Sequence, residues 1–159
     1  MSATSWLQGV SMACPSGWSD RTIMAFSAPR IPGETLPPNV TLARDLRDAP
    51  GDDPAEALED YTQRQLRALE TALPGFRLER RGAAALGGAP GTELLFSWDS
   101  GQGRLVQWLT YLPLSDASIL SFTGTALAGR FAECEPLFAR TLASLRVDLG
   151  RGTPVRGQG

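Results

Sequence analysis

The chain has 159 residues, of which 42% are hydrophobic and 20% are charged, with a formal net charge of −2. This composition and length are typical of one globular domain with a real core. The charge balance excludes the basic surface that nucleic-acid binding requires, and without an apolar run of about 18 residues we expect no membrane-spanning helix. Histidine is absent, which excludes catalytic and metal sites built on imidazole.

The N-terminal region and the two cysteines bear on the cellular compartment. Residues 11–14 (SMAC) faintly resemble a lipoprotein cleavage site, but no basic segment or apolar stretch precedes them. We therefore interpret the start as mature and the protein as cytoplasmic. Cys14 and Cys134 lie far apart in the sequence and form no CxxC motif. We therefore favour two reduced thiols, and a disulfide between them stays an open alternative.

The first third of the chain is interpreted as strands joined by a loop. Residues 6–10 are a candidate short strand, residues 21–27 (RTIMAFS) and 39–46 (NVTLARDL) are predicted strands, and the proline-rich residues 29–38 form a loop. Side-chain alternation places Ile23 and Ala25 on one side of their strand, opposite Thr22, Met24 and Phe26.

Residues 55–76 predict the central helix. Its apolar stripe consists of Leu58, Tyr61, Thr62, Gln65, Leu66, Leu69, Ala72 and Leu73. Pro54 after two aspartates is a plausible start, and Pro74-Gly75 ends the helix. Thr62 and Gln65 are unusual at the centre of the stripe, because a buried glutamine without partners costs about 1–3 kcal/mol. Either Gln65 is satisfied inside the fold, or this face is a groove that binds something.

The second half of the chain is predicted to be rich in strands and to end in a helix. We expect a turn-rich run over 82–91 and a hairpin loop at residues 99–103. The predicted strands are 76–80, 92–98, 105–112 and 118–125, followed by a helix over 131–147. Hairpin-linked strands without βαβ alternation favour an α+β fold, an antiparallel sheet packed by helices on one face. Residues 1–149 are predicted to be the domain and residues 150–159 a disordered tail.

No combination of residues indicates catalysis. The glycine-rich residues 87–91 lack the lysine and hydroxyl of a phosphate loop and are interpreted as a turn. Glu133 and Glu135 are expected to be solvated, and Asp52-Asp53 to be helix-start charges. We therefore expect no enzyme activity, no cofactor and no metal.

Polar side chains at apolar positions are the remaining signal. Thr41 alternates with valine and leucine in its strand, and Gln107 lies among apolar residues in residues 105–112. Strand alternation alone explains both residues if their side faces water. Alternatively, they join Gln65 in an apolar groove dotted with amides and hydroxyls, which suits an apolar helix as ligand.

Several short motifs, in order and spacing, resemble the DcrB-like family over residues 8–148. They are residues 15–22 (PSGWSDRT), the strand 39–45 ending in Arg-Asp, the helix segment 61–66 (YTQRQL) running into 73–76 (LPGF), and residues 86–94 (LGGAPGTEL). Without an export signal, the chain resembles the cytoplasmic branch of that family, the Eag chaperones of bacterial type VI secretion.

This resemblance implies a single-domain homodimer of Mog1/PsbP-like fold. It also implies a function, which is to bind and shield the N-terminal transmembrane helices of a PAAR- or Rhs-type effector before export. The positions that it assigns to client-helix binding are Ile23, Ala25, Thr41, Ala43, Thr62, Gln65, Leu69 and Gln107. Two alternatives stay open: a periplasmic DcrB-like envelope protein, and a PsbP-like accessory domain that binds a small ligand.

Overall fold

An antiparallel sheet of six strands and two helices make up the part of the protein that the computed structural model describes, residues 12–19, 21–46, 53–86, 89–114 and 118–147. The spatial order of the strands is β1-β2-β6-β5-β4-β3. In chain order the elements are β1 (Ile23–Ser27), β2 (Asn39–Leu46), α1 (Pro54–Ala72), β3 (Arg77–Leu86), β4 (Ala89–Ser100), β5 (Gly103–Pro113), β6 (Ser118–Leu127) and α2 (Ala128–Ala143).

The ends of α1 follow from the residues that flank it. The Asp53 carboxylate accepts a hydrogen bond of 3.0 Å from the Ala55 N–H, and Pro54 occupies the first turn, where its missing donor costs nothing. At the C-terminal end, the Leu73 N–H donates a hydrogen bond to the Leu69 carbonyl. Gly75, two residues later, has a φ of 66°, which ends the helical conformation. The helix therefore begins and ends close to where the sequence predicts.

The strands of the central hairpins are longer than predicted. The expected turn-rich run over 82–91 belongs mostly to β3 and β4, which pair from Arg77 with Ser97 to Leu86 with Ala89. The predicted five-residue hairpin loop shortens to a turn at residues 101–102, since β4 and β5 pair as far as Ser100 and Gly103. Small residues adopt an extended backbone when a neighbouring strand supplies the hydrogen bonds. The sequence of the segment itself does not reveal that neighbour, so the segment resembles a turn.

Helix α1 covers one side of the sheet, here called the α1 face. Residues that lie opposite each other in the register point to the same face, so the register shows which residues of each strand lie on the α1 face. The cluster under α1 joins side chains of three strands, β4, β5 and β6, to the apolar stripe of the helix. It consists of Leu58, Tyr61, Leu66, Leu94, Phe96, Leu109, Tyr111 and Ile119.

Helix α2 covers the opposite side, the α2 face. Its cluster consists of Val40, Trp108, Leu112, Leu120, Phe122, Ala126, Phe131, Cys134, Phe138 and Leu142. The α+β class with an antiparallel sheet is therefore confirmed, but the expectation that both helices pack on one face is not met. The neighbours Trp108 and Leu109 on β5 are both buried, so each face of the sheet needs its own cover.

Some predicted features lie outside the described residues. The candidate strand at residues 6–10 and the tail at 150–159 are among them. Both cysteines are free thiols, Cys14 exposed and Cys134 buried, as the sequence favours. No helix among the described residues combines the length and apolar character needed to cross a bilayer.

A side chain at Gly124 would collide with α2. A Cβ atom built there lies 2.5 Å from the Phe138 ring, in the packed centre of the α2 face. We expect Gly124→Ala to lower the free energy of unfolding by about 1–3 kcal/mol, because the buried ring has to move. Gly129→Ala is the control, since its Cβ meets nothing within 4 Å; a helical alanine there should be neutral or stabilising. Equal urea midpoints for the two variants would contradict this packing.

Candidate binding groove

Helix α1 covers only part of its face of the sheet. The sheet residues in its core cluster come from β4, β5 and the first residues of β6, and the ring of Tyr61 meets that of Tyr111 edge-on at 5.1 Å. The rest of the face, over β1, β2 and the middle of β6, has no helix above it among the described residues. We call this uncovered surface the floor; its six side chains are Ile23, Ala25, Thr41, Ala43, Ser121 and Thr123.

The register brings the floor residues together in two rows. Ile23 lies opposite Ala43, which lies opposite Ser121, and Ala25 lies opposite Thr41, which lies opposite Thr123. Ile23 is 58% exposed, Ala25 is also exposed, and the other four side chains are half-buried. The floor is therefore a shallow surface of methyl groups and hydroxyls that carries no charged side chain.

One flank of α1 forms a wall beside the floor. The Tyr61 hydroxyl donates a 3.0 Å hydrogen bond to Asp45, at the end of β2, which shows that this flank faces the open strands. Gln65 follows Tyr61 by one helical turn and so lies on the same flank. Its side chain is half-buried, and its amide has no hydrogen-bond partner within the described part of the chain. Leu69, one turn further, packs against the cluster under α1.

The bond between Tyr61 and Asp45 fixes one end of this wall. Burial raises the pKa of Tyr61, and the hydrogen bond to Asp45 raises it further, because both disfavour a phenolate. The hydroxyl therefore stays a donor at any physiological pH. This contact joins α1 to β2 across the open face and holds the wall at a set distance from the floor.

Two of the predicted groove residues are engaged inside the fold. Thr62 is 0% exposed, and its hydroxyl donates to the Leu58 carbonyl at 2.8 Å, so it is not part of the accessible wall. The Gln107 amide oxygen accepts from the Trp98 indole at 2.7 Å, and its nitrogen donates to Thr125 at 3.0 Å. Gln107 thus links β4, β5 and β6 at the edge of the floor, and an incoming ligand meets an amide that is already bonded.

The sequence reasoning missed two floor residues. Ser121 and Thr123 lie on β6 beside Ala43 and Thr41, on the same face. The signal for them was present, because hydroxyl side chains occupy every second position in SFTGT, residues 121–125. That signal needs the order of the strands, since only the pairing of β2 with β6 brings the two sets together.

The acidic residues of α2 belong to ion pairs on the surface. Glu133 pairs with Arg130 at 2.6 Å, and Glu135 lies 3.6 Å from Arg80. No group of three or more Cys, Asp and Glu side chains that could hold a metal ion is found among the described residues. The floor and the α1 wall together form the groove, which is the candidate functional site.

The described residues form an antiparallel sheet between two helices, with an open surface of small and polar side chains beside one of them, which defines an α+β domain. The sequence profile of the DcrB family matches residues 10–135. The chain belongs to the DcrB family. No protein with curated annotation matches it at a significant level.

Solved structures resemble this chain to different degrees. PA94, a protein of unknown function from Pseudomonas aeruginosa, superposes with a TM-score of 0.73 at 24% identity, over 89% of this chain and 94% of that chain. LpqN from Mycobacterium tuberculosis, described as involved in cell envelope biogenesis, gives 0.50 at 17% identity, over 91% and 95%. The cyanobacterial PsbP of Synechocystis gives 0.47 at 10% identity, over 86% and 99%.

Proposed function

We propose that this DcrB-family protein is an effector chaperone of type VI secretion. It binds the apolar N-terminal helices of a PAAR- or Rhs-type effector in the bacterial cytoplasm and shields them before export. The observation that carries the proposal is the Gln65 amide, half-buried on the wall and without a hydrogen-bond partner among the described residues. A groove with an unused amide and several hydroxyls is suited to a ligand that is apolar but not purely hydrocarbon.

The chemistry of the floor supports a helix as the ligand. Helices associate within membranes through small side chains that allow close approach and through hydrogen bonds from Ser, Thr and Gln side chains. The floor offers Ala25 and Ala43 for close approach, and Thr41, Ser121 and Thr123 as hydrogen-bonding groups. A transmembrane helix in this groove would keep contacts of the kind that it makes with other helices in a bilayer.

The size of the floor fits the same ligand. Three neighbouring strands span about 14 Å at the usual strand spacing. A helix with its side chains is about 10–12 Å across. One helix would therefore lie on the floor against the α1 wall, with Gln65 beside its middle.

A role in the cell envelope is the second candidate. It is favoured by the similarity to LpqN, whose structure is described as involved in cell envelope biogenesis, although at 17% identity that similarity shows the fold alone. The two candidates differ in compartment. Lipid on Cys14 or a cleaved N-terminus in protein purified from its native host would favour the envelope role.

The central experiment is co-expression in bacterial cytoplasm. The tagged full chain is produced with a soluble carrier fused to the apolar N-terminal segment of a candidate effector, and the mass of the eluted complex is determined. The proposal expects a detergent-free complex that is lost when the apolar segment is deleted. A chain that elutes alone, while the fusion aggregates, would overturn the chaperone function.

Gln65→Leu separates a groove residue from an internal one. We expect unchanged or raised stability, because no internal hydrogen bond is lost, and about 2- to 10-fold weaker client binding, because the polar groups of the client lose a partner. The control is Gln63→Leu, the same change at a side chain that bonds Glu59 on the other flank. Marked destabilisation together with unchanged binding would show that Gln65 is part of the core.

A further inference from the structure

Strand β1 forms the outer margin of the floor, and few contacts hold it in place. It is the end strand of the described sheet and pairs with β2 over five residues. Of its side chains Met24 is half-buried, and the other four are exposed. Side-chain packing therefore does little to fix β1, although Ile23 and Ala25 on this strand belong to the floor.

The loop at residues 28–38, here called the strap, ties β1 to distant parts of the fold. The Ala28 N–H donates a hydrogen bond of 2.8 Å to the Pro38 carbonyl, which closes the strap where it leaves the sheet. Further along, the Thr35 hydroxyl donates to the Gln102 carbonyl at 2.7 Å, in the turn between β4 and β5. Prolines at positions 29, 32, 37 and 38 fix φ and leave the strap few conformations. The strap therefore relates the position of β1 to that of its anchor points.

The second anchor of the strap is the Glu34 carboxylate. The Glu34 side chain is 4% exposed, and it accepts a hydrogen bond of 2.5 Å from Arg130 in the first turn of α2. The other carboxylate oxygen, Oε1, is buried without a hydrogen-bond partner among the described residues. A buried ion pair with an unused acceptor is a weak source of stability, because the cost of desolvation offsets much of the attraction. What this contact does supply is a fixed distance and direction between the strap and α2.

We propose that Glu34 is a positioning residue of the groove. By anchoring the strap to α2 it fixes β1, and so sets how far Ile23 and Ala25 lie from the α1 wall. A helix is about 10–12 Å across and the floor of three strands about 14 Å wide, so a small shift of β1 changes the fit. The inference rests on the proposed function, since the width of the groove matters only if a helix binds there.

The width of the groove is linked to affinity by the fraction of molecules that hold it. When a fraction f of the molecules is competent to bind, the apparent Kd rises by the factor 1/f. If about one molecule in five keeps the native width after the loss of Glu34, client binding weakens about 5-fold. A residue that only added stability would lower the unfolding midpoint, but it would leave the width and the affinity of the folded molecules unchanged.

The test compares Glu34→Ala with Glu133→Ala in the full chain. Both substitutions remove a carboxylate that is bonded to Arg130, but the Glu133 side chain is 63% exposed and lies outside the strap. The unfolding midpoint of each variant is measured alongside, so that an effect on stability is recorded separately from an effect on width.

Spin labels measure the width in the absence of any client. In a Cys14→Ser background, labels on Ala25→Cys and Thr71→Cys, both at exposed positions, report the distance between β1 and α1. We expect a narrow distance distribution in the parent chain and in Glu133→Ala, and a broad one in Glu34→Ala. Labels on Thr71→Cys and Ala143→Cys, which join the two helices, should give a narrow distribution in every variant.

Thr35→Val takes the place of Glu34→Ala if that variant fails to fold. It removes the hydrogen bond to the Gln102 carbonyl with little change of shape, at an exposed position. We expect the same broadening of the distance between β1 and α1, because the strap then loses its other anchor.

Client binding is measured for the unlabelled variants with the carrier fused to the apolar segment. We expect Glu34→Ala to bind more weakly, by the factor that its distance distribution gives, and Glu133→Ala to bind as the parent chain does. A narrow distribution in the folded strap variant, or a broad one with unchanged binding, would overturn this inference and leave the proposed function standing. A parent chain that does not bind the segment would instead overturn the proposed function, and this inference with it.

Discussion

Thr123→Arg is expected to abolish capture of an apolar helix while leaving the fold intact. Thr123 lies in the middle of the floor, half-buried, opposite Thr41 on β2. In the free protein an arginine there can extend across the open floor and keep its guanidinium in water. Under a docked apolar helix the same charge would be buried without a partner, which costs several kcal/mol and so weakens binding at least about a hundredfold.

The matched control for Thr123→Arg is Thr71→Arg. Thr71 is exposed on α1, away from the floor, and the substitution changes the net charge by the same amount. Binding is measured as the yield of complex with the effector segment, and folding as the urea midpoint of each variant alone. If Thr123→Arg folds normally and captures the segment as well as Thr71→Arg does, the helix binds elsewhere and the groove is not the site.

Local residue chemistry predicted α1 and the sides of the strands well. The cap at Asp53, the proline after it and the stop at Pro74-Gly75 act within a few residues, so they can be read from the sequence. Alternation likewise placed Ile23 and Ala25 together, and the register confirms it. Such signals succeed because side-chain direction in a strand depends only on position along the chain.

The state of each polar residue could not be predicted in the same way. Gln107 is bonded to Trp98 and Thr125, which lie 9 and 18 residues away. The buried Thr62 hydroxyl is satisfied by a hydrogen bond to the Leu58 carbonyl in its own helix. Hydroxyl side chains often make this bond, whereas the longer glutamine amide does not. Whether a polar side chain on an apolar stripe is satisfied or free therefore depends on which strands are neighbours.

The side of the sheet on which each helix packs also depends on long-range geometry. Helix α2 begins at Ala128, directly after the last residue of β6, so the chain turns onto the α2 face without a loop. A contact 96 residues apart in sequence, from Arg130 to Glu34, holds the start of α2 against the loop between β1 and β2. Neither feature leaves a pattern in the sequence, which is why a one-sided arrangement was the natural prediction from strand and helix order.

Phe96→Ala is expected to have the largest effect on stability. Phe96 is 2% exposed beneath α1, and its ring lies 5.3 Å from that of Phe76. Truncating a buried phenylalanine costs about 3–5 kcal/mol, because the surrounding core closes the cavity only in part. Since domains of this size are stable by about 5–15 kcal/mol, the variant should lie close to its unfolding limit at physiological temperature.

Leu78→Ala is the control for Phe96→Ala, because Leu78 pairs with Phe96 across β3 and β4 but is 39% exposed. Urea denaturation should show a loss of less than half that of Phe96→Ala, with equal slopes for both variants. Because Phe96 supports α1, its loss should also loosen the wall that carries Gln65. Amide hydrogen exchange in α1 is therefore expected to rise in Phe96→Ala and not in Leu78→Ala. Equal stability of the two variants would show that α1 is held by other contacts, and that its position beside the floor does not depend on this core.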